Sequence, residues 1–164
     1  FKYAVRSGYD VVVQLDGDAQ HDPAWLDSVI EPIALGQAQC VIGSRYMPGK
    51  QDADYTTPFA RRAGMKFSTS ILRLATGLVI TDTTSGFRAL TRDAFSYFAR
   101  TYPVDHPEAE ALLVLHRAGF KIVEVPIKMR QRRHGKSLFN FTKSALYPLR
   151  VIVGFLGIMF MKGD

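Results

Sequence analysis

The chain has 164 residues, 47% apolar and 22% charged, with a formal net charge of +6. That apolar share excludes a disordered chain, and the length suits one domain with a real core. A single cysteine, Cys40, excludes an internal disulfide, and no Cys/His spacing suits zinc. The lone thiol fits a reducing compartment.

The opening "FKYAVRSGYD" has no apolar stretch of the signal-peptide kind. It reads as a helix over Phe1 to Arg6 that ends at Gly8. No methionine opens the chain, and the strand that comes next needs neighbours on both sides. The expectation is therefore a fragment whose first strands are missing.

Asp10 to Leu15 reads as a buried strand. "DPAWLDSVIEPIALG" reads as a helix with Asp22 as N-cap, Pro23 at the first helical position and an apolar stripe of Leu26, Val29, Ile30 and Ile33. Pro32 should kink or shorten it, and Gly36 should end it. "QCVIGSRY" predicts a second short strand. "GKQDADYTTP" predicts a mobile polar loop.

Residues 59–76 read as a helix with Phe67, Ile71, Leu74 and Ala75 facing inward, closed by Gly77. "LVITDTTSGFRALT" starts as a strand and turns at Ser85-Gly86. Arg92 to Arg100 predicts a short helix capped by Thr91. "HPEAEALLVLHRAG" predicts another, between Pro107 and Gly119. "KIVEVPIKM" predicts a strand that Pro126 confines to a sheet edge. Strands alternating with helices imply an α/β fold with a mostly parallel sheet, whose ligands gather beyond the carboxyl ends of the strands.

Asp16 and Asp18 follow the first strand directly, and Gln20 continues their alternation. Two carboxylates and an amide oxygen are hard ligands suited to Mg²⁺ or Mn²⁺, with a substrate diphosphate completing the shell. A solvated Asp-Gly turn is the plain alternative. A calcium EF-hand loop fails, because His21 stands where that loop needs glycine and Asp27 where it needs glutamate.

"LDGDAQHDP" resembles the Asp-x-Asp segment of family 2 glycosyltransferases with the GT-A fold. The polyprenyl- or dolichyl-phosphate mannosyl- and glucosyltransferases are the nearest branch. "VIGSRY", "RR", "DTTSGFRAL", "HPEAE", "AGFKIVEVPI" and "RRHGKS" follow in the family's order. The resemblance implies a GT-A (Rossmann-like), mostly parallel sheet flanked by helices, incomplete at the amino end where the base- and ribose-binding strands would lie. It implies Asp16, Asp18 and Gln20 as metal ligands. Asp16, Asp18, Arg132 and Ser137 would meet the donor diphosphate. Arg45 and Arg62 would meet the acceptor phosphate, with Arg61 an alternative to Arg62.

Each arginine also has a plainer reading as a solvated loop or helix cation. The Arg132–Ser137 segment reads as a loop that orders over the donor. The implied catalytic residues are Asp18 and Glu108, the latter where relatives carry an aspartate base. Glu108 and Glu110 also suit a helix start simply by charge. A lipid phosphate is already ionised near neutral pH and needs no strong base. Asp82 could orient the acceptor, or serve as a turn aspartate. The four histidines show no ligand spacing and read as surface or structural.

The tail "ALYPLRVIVGFLGIMFM" carries one charge, Arg150, and falls a little short of a membrane span. The fold leaves no core position for it, so interfacial attachment is expected, with a span from Arg150 as the alternative. The organisation expected is a partial GT-A domain over 1–137 and membrane-associated helices over 138–164.

The function expected is inverting, metal-dependent sugar transfer to a polyprenyl phosphate at the cytoplasmic face of the membrane. Its partners would be a GDP- or UDP-sugar, a lipid phosphate and the membrane surface, with room for an anchoring protein. Nucleic acid is not expected, since the basic clusters lack stacking aromatics. Three rivals stay open: transfer to a saccharide hydroxyl with Glu108 as base, a non-catalytic basic module, and an inactive truncated copy.

Overall fold

A computed structural model describes residues 1–47, 59–103, 109–130 and 141–160, with side chains of 59–61 and 141–150 left undescribed. The described residues form a four-stranded mixed sheet with helices on both faces. The strands are β1 (Val11–Gln14), β2 (Cys40–Ser44), β3 (Arg88–Thr91) and β4 (Ile122–Pro126). Their order across the sheet is β1-β3-β2-β4.

β2 runs parallel to β4, while β3 runs antiparallel to both β1 and β2. The expected mostly parallel sheet is thus corrected to a mixed one. The cause lies in "LVIT", which does not form a strand. The N–H groups of Thr81 and Asp82 donate to the Glu124 carboxylate at 2.8 Å instead of to a ladder. The segment passes the sheet as a loop and enters only at Arg88, from the opposite direction.

β2 is buried along its whole length because both its faces are covered. Cys40 and Ile42 point to one face with Leu90, Ile122, Leu72, Phe95 and Leu112. Val41 points to the other with Ala89, Phe87, Val29 and Ile127. This alternation is the period-2 rule of a strand between two helical layers. Burial pushes the Cys40 thiol up to about 12. β1 is half-buried rather than buried, since it forms one border of the described sheet. β4 forms the other border, as Pro126 requires.

The helices are α1 (Lys2–Arg6), α2 (Leu26–Ala34), α3 (Phe59–Thr76), α4 (Arg92–Thr101), α5 (Ala109–Arg117) and α6 (Phe141–Phe160). A 3₁₀ turn, Pro23–Trp25, leads into α2, and the Asp22 carboxylate accepts from the Ala24 N–H at 3.1 Å. Thr91 caps α4 through the Ala94 N–H. In α3 the buried face is Met65, Ser68 and Leu72, while Leu74 points outward at 90% exposure. Of the residues predicted to face inward, Phe67 and Ile71 pack partly buried against the core, whereas Leu74 and Ala75 are exposed.

α6 gives the tail a core position after all. Val151 and Phe155 join the larger core cluster, and the helix packs against α3 and α5. Among the described residues no helix is long and apolar enough to cross a membrane. The close approach depends on Gly154, where a Cβ would overlap the carboxylate of buried Glu110 on α5. Gly154→Val should therefore lower stability by about 1–3 kcal/mol through overpacking. A urea midpoint unchanged from the parent would refute that contact.

Candidate active site

Four chain segments leave the sheet at one end. Asp16 follows β1, Arg45 follows β2, the 81–87 loop enters β3, and residues 127–130 follow β4. Hydrogen bonds knit them together. The Arg45 guanidinium grips the Asp82 carboxylate with both arms, Nε to Oδ2 and Nη2 to Oδ1, each at 2.7 Å. Nη2 also donates to Thr84 Oγ1 at 2.8 Å. Arg45 is 8% exposed and Asp82 fully buried, so this fork is shielded from solvent.

Glu124 supports the fork from β4. Its carboxylate accepts from the Thr81 and Asp82 N–H groups and from the Thr81 hydroxyl. Arg88 wraps the same loop from inside, donating through Nε to the Ser85 carbonyl and through Nη2 to the Thr83 carbonyl, both at 2.9 Å. Ser68 of α3 meets Thr83 at 3.0 Å, and Ser85 Oγ donates to the Gly43 carbonyl at 2.6 Å. A loop held from four sides is preorganised.

Burial pushes Glu124 up from its usual 4.5, and the nearby Asp82 charge adds to that. The folded protein thus holds this proton more tightly than the unfolded chain. Stability must fall as pH rises from the unfolded value through the raised folded one. Glu124→Gln should flatten that part of the stability–pH curve, measured as urea midpoints across weakly acidic pH. An unaltered slope would contradict it.

At the end of β1 the Asp16 side chain is about half exposed (51%). His21 Nε2 lies 3.2 Å from its Oδ2. That hydrogen bond, aided by the His21, Arg45 and Arg88 charges, holds the Asp16 carboxyl below its usual range, against partial burial. Asp18 Oδ1 accepts from the Gln20 N–H at 3.1 Å, closing a turn through Ala19 at φ 60°. That left-handed alanine costs of order 1 kcal/mol, strain of the kind found where a loop must aim a side chain.

Gln20 is buried, and its amide nitrogen donates to the Arg130 carbonyl at 3.2 Å, which orients the amide oxygen. Arg130 returns its N–H to the Gln20 carbonyl and pairs with Asp22 at 2.7 Å. The Asp22 carboxyl is held below its usual range by the Ala24 N–H first and by Arg130 as well.

A model of the family described as "Glycosyl transferase family 2" matches residues 4–98. That span holds the Asp16 loop, Arg45 and the whole 81–91 segment. The chain belongs to glycosyl transferase family 2.

Curated relatives point the same way. The chain is 33% identical over 145 residues to an undecaprenyl-phosphate mannosyltransferase of Micrococcus luteus, covering 84% of this chain and 56% of that protein. It is 31% identical to a polyprenol monophosphomannose synthase of Mycolicibacterium smegmatis, covering 84% and 52%. It is 32% identical to a UDP-N-acetylglucosamine--dolichyl-phosphate N-acetylglucosaminyltransferase of Methanococcus voltae, covering 77% and 51%. The chain thus spans about half the length of these relatives. Among solved structures, glucosyl-3-phosphoglycerate synthase from Mycobacterium tuberculosis aligns with a TM-score of 0.61 at 17% identity, over 95% of this chain and 52% of that one. That likeness concerns the fold.

Within this family 2 chain the structure places Asp16 near the charges of His21, Arg45 and Arg88, and folds the Asp18 carboxylate back onto the Gln20 backbone N–H. Arg45 is not a solvated loop cation. Asp82 is fully buried and holds the Arg45 guanidinium. Arg62 sits exposed on α3, and no described contact carries it to the cluster. Glu108, Arg132 and Ser137 lie outside the described residues, as do His106, His134 and the stretch "GKQDADYTTP" predicted to be a loop.

His21 was expected to be surface or structural. It is buried, packed with its ring tilted 58° to Phe87 at 5.2 Å, and bonded to Asp16. Arg88 and Glu124 were missed. A lone acid inside the apolar strand "IVEVP" was the available signal for Glu124.

The residues suit a hard divalent cation. Asp16 offers a half-exposed carboxylate, Asp18 a second, and Gln20 an oriented amide oxygen. Among the described residues no group of three or more His, Cys, Asp or Glu side chains could by itself enclose a metal. Two carboxylates with substrate oxygens are a magnesium-like arrangement rather than an all-protein cage.

Proposed function

We propose that this protein is an inverting, metal-dependent glycosyltransferase that moves a sugar from a GDP- or UDP-sugar to a polyprenyl phosphate. One observation carries the reading: the Asp16 carboxylate stands at a strand end beside Arg45 and Arg88, within a family 2 chain. The names of the Micrococcus, Mycolicibacterium and Methanococcus relatives support the acceptor class.

An acceptor phosphate oxygen attacks the anomeric carbon from the face opposite the leaving diphosphate. One bond forms as the other breaks, so the configuration inverts. Bound Mg²⁺ or Mn²⁺, held by Asp16, Asp18 and Gln20, would offset charge on the departing diphosphate. Arg45, fixed by Asp82, supplies a cation that needs no reorganisation during the reaction. Arg62 and Arg132 would add phosphate contacts, with Ser137 beside the donor. The acceptor phosphate is already ionised, so positioning matters more than a base.

The decisive assay supplies labelled GDP- or UDP-sugars with polyprenyl phosphate and follows label into the organic phase, with and without Mn²⁺. Transfer that needs Mn²⁺ and survives Glu108→Gln supports the reading. Transfer only to saccharide hydroxyls, lost in Glu108→Gln, would replace it with the hydroxyl-acceptor mechanism.

The site of action proposed is the cytoplasmic face of a membrane. Behind the core-docked Val151 and Phe155, α6 exposes Ile152, Val153, Leu156, Met159 and Phe160. A helix docked on one side and apolar on the other suits a bilayer surface, where each large side chain contributes about 1.5–3 kcal/mol. Leu156→Glu with Phe160→Glu should weaken binding to anionic liposomes at least ~10-fold in co-sedimentation. Equal binding would remove the membrane face from the proposal.

A further inference from the structure

We infer that Gly86 and His21 together form a cradle that sets the direction of the Asp16 carboxylate, and that both are positioning residues for the metal. This rests on the metal reading of Asp16 given above.

Gly86 sits in the loop before β3. Its φ is not in the left-handed region, so the backbone there would accept any residue. The constraint is space. A Cβ at Gly86 would overlap the Asp16 carboxyl group, whose three atoms are its nearest neighbours. The carboxyl group therefore lies flat against the Gly86 backbone. An added Cβ would push first on the free end of a flexible aspartate. The fold can absorb that displacement; the direction of the oxygens cannot.

His21 holds the other side. Its ring is buried against Phe87, and Nε2 reaches Asp16 Oδ2. Because a carboxylate only accepts, Nε2 carries the proton. Nδ1 is buried and has no hydrogen-bond partner among the described residues. A buried polar atom normally has one, and its absence costs stability. The ring keeps this position despite that cost, and the contact it makes there is with Asp16. Nearby partners that orient a metal ligand typically change metal affinity 10–100-fold when removed.

The test is Mn²⁺ titration of the chain, followed by loss of the free-ion EPR signal, with thermal melting of each variant alongside. Gly86→Ala should melt close to the parent yet bind Mn²⁺ at least ~10-fold more weakly. His21→Ala should weaken Mn²⁺ to a similar degree, and His21→Gln, which keeps a donor, should recover most of it. If Gly86→Ala and His21→Ala bind like the parent while Asp16→Asn does not, the cradle is wrong and the metal reading stands. If the parent shows no Mn²⁺ binding that Asp16→Asn removes, the metal reading falls and takes the cradle with it. Should Gly86→Ala fail to melt cooperatively, the histidine pair decides: Gln no better than Ala overturns the proposal.

Discussion

Asp82→Ala is expected to cost about 3–5 kcal/mol of folding stability, the usual penalty for stranding one half of a buried ion pair. Total stabilities lie near 5–15 kcal/mol, so about a fifth or more of the margin is at stake. The loss has three sources. The Arg45 guanidinium loses two charge-assisted bonds at 2.7 Å. Its own N–H loses the Asp82 Oδ2 acceptor at 3.2 Å. Thr84 Oγ1 loses its bond to Oδ1. Asp82→Asn should cost less, because an amide oxygen still accepts from one arm. Arg45→Met with Asp82→Leu should regain much of the loss, since apolar replacements of buried pairs often do. Denaturant melts of the three variants give the measurement. A double variant no more stable than Asp82→Ala would mean the pair does not act as a unit. The double variant should still lose sugar transfer, because the fixed cation is gone.

Chelation of divalent metal, or Asp16→Asn, should lower sugar transfer about 10²- to 10⁴-fold. Charge stabilisation by a bound metal is worth several kcal/mol, and each 1.36 kcal/mol is one decade of rate. Asp16→Asn should also make the protein relatively less stable than the parent above the acid range. The Asp16 carboxyl titrates below its usual value in the fold, chiefly because of the His21 bond. Its contribution is therefore present above the unfolded value of 3.8 and lost as pH falls through the lower folded value. Transfer assays with chelator and added Mn²⁺, beside melts at acid and neutral pH, separate the two effects. Unimpaired transfer in chelator would rule out metal assistance.

Local chemistry was legible in the sequence, and non-local pairing was not. Asp22-Pro23 and Thr91 announce helix starts because a cap is settled within three residues. The Asp16 loop drew notice because two carboxylates one residue apart end a run of β-branched residues, although a solvated Asp-Gly turn has the same composition. Direction of pairing is decided elsewhere. "LVIT" has strand composition, yet Glu124, over forty residues away, captures the N–H groups of its last residue, Thr81, and of Asp82 beyond it. His21 carries no spacing signal, because its partner is reached through a turn with a left-handed alanine. The tail reads as membrane-associated by its apolar composition, but Val151 and Phe155 in the core and Gly154 against Glu110 show that one side of it meets the fold. Arg45 was recognised as an arginine of interest; that its charge is already matched by Asp82 needed three dimensions.

The strand order also governs how the chain can assemble. Val11 must wait for Thr91, and Cys40 for both Leu90 and Ile122, before either has a ladder partner. Such distant pairings fold slowly, since long loops close before any contact repays them. During synthesis the apolar centre, Cys40–Ser44, leaves the ribosome well ahead of every strand that will flank it. That interval is when this polypeptide is most exposed to aggregation and most dependent on chaperones.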